Sequence, residues 1–212
     1  MARQYTTDDL RSPAPLWAAL KPVIIGSAAT SLLLGAFYAA EIPLGRNYYD
    51  SSATVSLGVF AVSVVSLGIY LAAIILTCRI TYRMMRNLHA LQAPTEMMSP
   101  VGAFAYYFVP FISLVLPIKA VKQMQRGTDA LLTDMPSAES PQTGLWWGAW
   151  IVSNITSGIG FRLTSEPSMA DSTLPAFFSS FGAIISVLAC AAMIEVFRRL
   201  VDAQSRLMSS HR

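Results

Sequence analysis

Charge is scarce in this chain. Asp, Glu, Lys and Arg make up 13% of the residues, against the ~25% of ordinary soluble domains, while hydrophobic residues reach 54%. That balance excludes a conventional water-soluble core. Histidine and cysteine are nearly missing, with two of each. No metal site with the usual ligand spacing can be written from them, and no cofactor is expected. Cys78 and Cys190 lie within or at the ends of apolar runs and read as small buried hydrophobes. Inside those runs no Ser/His pair, paired carboxylate or ligand cluster occurs, so the chain is not expected to be an enzyme. No basic face interleaved with aromatics stands out on a polar segment, which sets nucleic acid aside.

What the chain does have is long apolar runs. Its 212 residues suit one membrane domain, residues 22–198, with spans at about 23–40, 53–78, 144–163 and 176–194. Residues 1–21 read as a cytoplasmic segment with a short amphipathic piece at Leu16–Leu20, and 199–212 as a cytoplasmic tail. The first run is a retained helix: its leader is long, and Phe37-Tyr38-Ala39-Ala40 offers no clean cleavage site. Ser27, Ser31, Gly35 and Ala39 recur every four residues. Such a stripe lets helices approach closely in lipid, and packing within the chain is favoured over dimerisation.

The second run exceeds the ~20 residues a crossing needs. Its helical pattern continues past Arg79, with Ile80, Met84, Leu88 and Leu91 on one face and Arg79, Arg83 and Arg86 on another. This predicts a basic juxtamembrane helix that touches anionic lipid. The third run opens with Trp146, Trp147 and Trp150, the signature of an interfacial anchor. Asn154 near its middle is expected to face and bond other helices. Glu195 and Arg199 close the fourth run as i,i+4 partners.

The stretch from Ser99 to Arg126 decides the topology. Val101–Ile118 is apolar and just long enough to cross, yet it carries Pro110 and Pro117. If it returns to its own side, thirteen of the fifteen Lys and Arg residues are cytoplasmic and only Arg46 and Arg162 lie outside. If it crosses, the basic residues divide almost evenly. The positive-inside rule favours the first arrangement. The expected fold is therefore all-α and integral to the membrane. Four helices span, both termini are cytoplasmic, and a Pro-bent re-entrant or interfacial segment at about 101–118 separates the second span from the third. Five crossings is the alternative. Beyond it, Lys119–Met135 has helical spacing that Gly127 interrupts.

Several motifs in order carry a resemblance. TYRMMRNLHAL, then SPVGAFAYYFVPFISLVLPIKAVKQM, then LWWGAW resemble a bacterial membrane family catalogued as domain of unknown function 4328. The matching positions are Tyr82, Arg83, Asn87, Ser99, Pro100, Pro110, Pro117, Met124, Trp146 and Trp147, over roughly residues 55–195. The chain departs from the pattern at Ser113, where the family usually has Asn, and at Gln125-Arg126, where an acidic residue is usual. The resemblance implies a protein of the bacterial inner membrane and supplies no activity.

The expected function is that of a small interaction or accessory subunit of a membrane complex. Membrane lipids and a protein partner or second copy are the expected contacts. The basic helix 79–91 and the segment 119–135 would form the docking surface. Candidate structural or interaction residues are Tyr82, Arg83, Asn87, Pro110, Pro117, Lys119, Trp146, Trp147 and Asn154. The alternative is a small transporter or channel lined by the Pro-broken segment. The lack of ionisable residues inside the runs argues against it, because a polar path normally carries them.

Overall fold

An apolar run that leaves water must satisfy its backbone internally, and a helix does so within one segment. The computed structural model of the protein describes residues 10–44, 53–105, 107, 109, 111–132, 137–169 and 172–210. Within them the chain forms six α-helices and no strand. These are α1 Ala14–Leu44, α2 Ala53–Ala90, α3 Pro100–Ala105, α4 Leu116–Asp129, α5 Gln142–Thr164 and α6 Leu174–Ser210. Three of them, α1, α2 and α6, are long and apolar enough to cross a membrane.

The chain divides into two units. Unit 1 comprises Met1–Pro22, Ala73–Gly144 and Ala192–Arg212, and unit 2 comprises Val23–Ala72 and Leu145–Ala191. Unit 2 turns many of its large apolar side chains outward: Leu57, Phe60, Val65, Leu67, Ile155, Phe161, Phe177 and Ile184 are all exposed. Its helices meet through small residues instead. A Cβ on Gly35 of α1 would come within 2.8 Å of Ala183 Cβ on α6. Ser31 and Ser186 hydroxyls lie 3.3 Å apart on the same pair of helices. Gly160 of α5 leaves no room beside Ser179 and the Pro175 carbonyl, and Ser153 Oγ donates to the Gly182 carbonyl at 2.9 Å. The small-residue stripe of α1 thus serves packing within the chain.

Unit 1 is built the other way round. Ile80, Met84, Met85 and Leu88 of α2, Val121 and Met124 of α4, and Val196, Phe197, Leu200 and Leu207 of α6 are fully or almost fully buried. A few polar side chains are buried with them. Gln125 and Thr143 bond each other at 2.9 Å, and Gln204 Nε2 donates to the Met84 carbonyl at 3.3 Å.

Several boundaries differ from the sequence reading. Helix α1 starts at Ala14, so Leu16–Leu20 is part of it and no separate surface piece exists there. Pro15 falls in its first turn, where no amide donor is needed. Residues 199–210 do not form a polar tail. They continue α6, with Leu200, Val201, Leu207 and Met208 buried. Gly127 does not interrupt α4; it sits where a Cβ would press on Leu88, Met97 and Thr95 at 3.2–3.3 Å.

The central stretch is not one straight helix among the described residues. Ser99 caps α3 by accepting from Gly102 N at 3.0 Å, and Pro100 occupies the first helical position. Six residues of helix extend only about 9 Å, far short of the ~30 Å hydrocarbon core. Phe111 then adopts φ 62°, a left-handed conformation foreign to helices and rare for an aromatic residue. A single 3₁₀ turn, Ile112–Leu114, leads into α4. Pro117 lies buried in the first turn of α4, so it starts a helix and does not break one. Pro110 lies outside the described residues.

Candidate functional site, an arginine cleft

The apolar run of α2 ends at Cys78, and the same helix then presents Arg79, Arg83 and Arg86. Residues three and four apart share a helix face, so the three guanidinium groups stand together. Tyr82 and Asn87 flank them. A fourth cation, Arg11, joins from the segment before α1. The fold supplies the reason through Asn87, which is 2% exposed and clamps the Arg11 backbone at both of its polar groups. Its Nδ2 donates to the Arg11 carbonyl at 2.9 Å, and its Oδ1 accepts from Arg11 N at 3.2 Å. Asn87 Nδ2 also reaches Met208 Sδ at 3.7 Å, which ties the clamp to α6. Arg83 Nη1 donates to the Ser12 carbonyl at 3.0 Å.

These residues enclose a cleft of about 380 Å³ lined by Arg11, Leu16, Arg79, Tyr82, Arg83, Arg86 and Asn87. Among the described residues no carboxylate lines it. Burial, and then the neighbouring Arg79, Arg11 and Arg86, lower the Arg83 guanidinium from its ordinary value. The site therefore gathers like charges, and an anion is what would relieve their repulsion. Arginine presents paired donors in a planar fork that fits phosphate and carboxylate oxygens.

Two more clefts belong to unit 1. An apolar one of about 340 Å³ is lined by Ile75, Cys78, Arg79, Tyr82 and Phe104, and so shares Arg79 and Tyr82 with the arginine cleft. Phe104 meets Tyr82 edge-on, with ring centroids 5.9 Å apart. A second basic cleft of about 570 Å³ includes Lys119, Lys122, Arg126 and Gln123, but also the carboxylate of Glu96.

Of the residues singled out from sequence, Tyr82, Arg83 and Asn87 come together in the arginine cleft, and Lys119 lines the second basic one. Trp146 and Trp147 are 4% and 6% exposed. They pack edge to face, with Trp150 stacked on Trp147 at 4.8 Å, so these two rings are core and not an open anchor. Asn154 is exposed and bonds its own helix at the Trp150 carbonyl, 2.7 Å away, instead of another helix. Sequence reasoning missed Arg11 and Leu16 as cleft residues. No local signal marks them, because the tie is a side chain 76 residues away. Arg79 and Arg86 were legible as a basic face at spacing four and three.

A family profile described as domain of unknown function (DUF4328) matches residues 47–201, and no curated protein or solved structure matches the chain significantly. The profile covers most of the chain, including the whole of α2 and the segments that build the arginine cleft from 79 onward, and the chain is a member of the DUF4328 family.

Proposed function

We propose that this protein is a non-enzymatic accessory subunit of the bacterial inner membrane, held there by unit 2 and docking through unit 1. In this reading α1, α2, α5 and α6 cross, both ends of the chain are cytoplasmic, and residues 101–118 lie at the cytoplasmic interface without crossing. One observation carries it. Of the twelve Lys and Arg side chains among the described residues, only Arg162 belongs to unit 2. The positive-inside rule then directs unit 1 to the cytoplasm. The exposed Val101, Phe111, Leu114 and Val115 suit an interfacial segment that sinks apolar side chains between headgroups.

The docking role rests on the arginine cleft, a basic surface whose described lining carries four arginines. A transport role has less support. The acidic and basic residues described in unit 2 are Glu41, Arg162 and Glu166, all at or just beyond helix ends, which leaves no polar path between them. Purification from mild detergent tests the proposal. A stoichiometric protein partner that is lost from an Arg79→Gln, Arg86→Gln variant is the expected outcome. A lone homo-oligomer that conducts ions in liposomes would overturn it.

A further inference from the structure

Asn154 stands at the middle of α5, twelve residues after Gln142 and ten before Thr164. With a rise of about 1.5 Å per residue it lies about 15–18 Å from either end, the midplane of a ~30 Å hydrocarbon core when α5 crosses. Its side chain is exposed at that depth. We infer that Asn154 is the centre of an interface between two copies of this chain, α5 against α5. The inference rests on the crossing of α5 in the membrane reading above. It goes beyond that reading by naming the surface that the second copy covers.

The amide of Asn154 is only partly satisfied. Nδ2 donates to the Trp150 carbonyl at 2.7 Å, and Oδ1 accepts no hydrogen bond among the described residues. Water would meet the remaining groups, but lipid cannot, and an unmet carbonyl or N–H is expensive there. The polar residues beside it are treated differently. Ser153 donates across to the Gly182 carbonyl of α6 at 2.9 Å, Thr156 bonds back to the Val152 carbonyl at 2.9 Å, and Ser157 lies against Gly182. The contact with α6 is complete without Asn154. Helix α5 also falls short of the apolarity that marks α1, α2 and α6 as spans. A helix that faced only lipid would gain from an apolar residue at position 154; one that faces protein can use the amide.

The second copy follows from the chemistry of that group. An amide carries both a donor and an acceptor, so it is its own complement. Two copies inserted in the same direction are related by a two-fold axis along the membrane normal, and residues near the axis meet themselves. Each Asn154 then donates its second N–H to the Oδ1 of the other. A chain of different sequence would need a polar side chain at the same depth; a second copy has one there by symmetry. Gly158, one turn on, has open space where a Cβ would stand, so the two backbones can approach. Phe161 is 75% exposed and seven residues from Asn154 on the same side of the helix, where it supplies apolar contact beyond the amides.

The test uses the full chain. Native mass spectrometry in mild detergent should show a dimer that dissociates on dilution. Asn154→Leu should weaken it about tenfold or more, because two interhelical amide bonds are lost together. Asn154→Gln should restore most of the dimer, which a merely structural role for Asn154 would not do. Val65→Ala, on the outward side of α2, should leave the dimer unchanged. In membranes, Phe161→Cys in a Cys78→Ala, Cys190→Ala background should give a disulfide-linked dimer under mild oxidation, and Val65→Cys should not. A monomer at every concentration, a dimer indifferent to Asn154→Leu, or a different protein bound one-to-one and lost from Asn154→Leu would overturn the inference. Labelling of Glu166→Cys separates it from the reading on which it rests. Labelling from the outside with a monomeric chain refutes the interface alone, whereas labelling only from the cytoplasm refutes the crossing of α5 and the interface with it.

Discussion

Single atoms decide much of the packing in this protein, and glycine shows it best. Gly158 and Gly160 are two residues apart on α5. A Cβ on Gly158 would meet nothing within 4 Å, while one on Gly160 would collide with the Ser179 hydroxyl and with backbone atoms of Pro175 and Ser179 at 3.0 Å. Backbone cannot step aside. Gly160→Ala should therefore lower stability in detergent by about 1–3 kcal/mol, and Gly158→Ala should leave it unchanged or raise it by up to ~1 kcal/mol. Thermal unfolding of the two variants side by side checks this. Buried amides make a similar pair. Asn87→Leu orphans both backbone groups of Arg11 and should cost about 1–3 kcal/mol. Gln204 is 1% exposed, and its Oε1 has no hydrogen-bond partner among the described residues. Gln204→Met should cost less than Asn87→Leu, because it removes that unmet acceptor along with two long hydrogen bonds.

Among elements, α6 departs most from its reading as a span followed by a polar tail. The pattern Val196, Phe197, Leu200, Val201, Leu207 and Met208 has helical spacing, so the continuation was legible. Arg198, Arg199, Asp202 and Arg206 masked it by raising the polarity of the same stretch. Each large buried side chain contributes about 1.5–3 kcal/mol. Leu200, Val201, Leu207 and Met208 lie beyond residue 199, so removing 200–212 forfeits about 6–12 kcal/mol of burial, comparable with the whole stability of a typical domain, ~5–15 kcal/mol. The expected result is loss of folded protein, read as failure to accumulate in the membrane fraction. On the exposed side of this helix, Glu195 accepts from Arg199 Nε at 2.6 Å and Arg198 Nη2 at 2.8 Å. Those bonds, Arg199 first, hold its carboxyl below the usual range. Their contribution is present above the unfolded carboxyl value and fades as pH falls through the folded one. Glu195→Gln should lower the melting temperature slightly at neutral pH and not at all in strong acid. The central stretch was legible as broken because proline chemistry is local. The positive φ at Phe111 was not, since nothing in an aromatic side chain announces it.

Across the whole molecule, the coarse design was readable from composition. Apolar runs gave the long helices, and clustered cations gave one basic unit and one nearly uncharged unit. The arginine cleft was readable only in part: one helix supplies three of its cations at regular spacing, and the fourth arrives through a long-range amide clamp. Topology is checked with single cysteines in a Cys78→Ala, Cys190→Ala background. Exposed Glu139→Cys should react only once cytoplasmic access is given, and exposed Glu166→Cys from the outside. Unit 1 is stitched from three stretches of chain: one before residue 23, one from 73 to 144, and one beyond 191. A ribosome delivers them in that order, so the first two wait through two further apolar helices before the third arrives. Until then the Met84 carbonyl lacks its bond from Gln204, and Asn87 holds Arg11 without Met208 behind it. A polypeptide arrested late in synthesis would be fully inserted and still unfinished, displaying a greasy basic surface of the kind that membrane proteases and chaperones recognise.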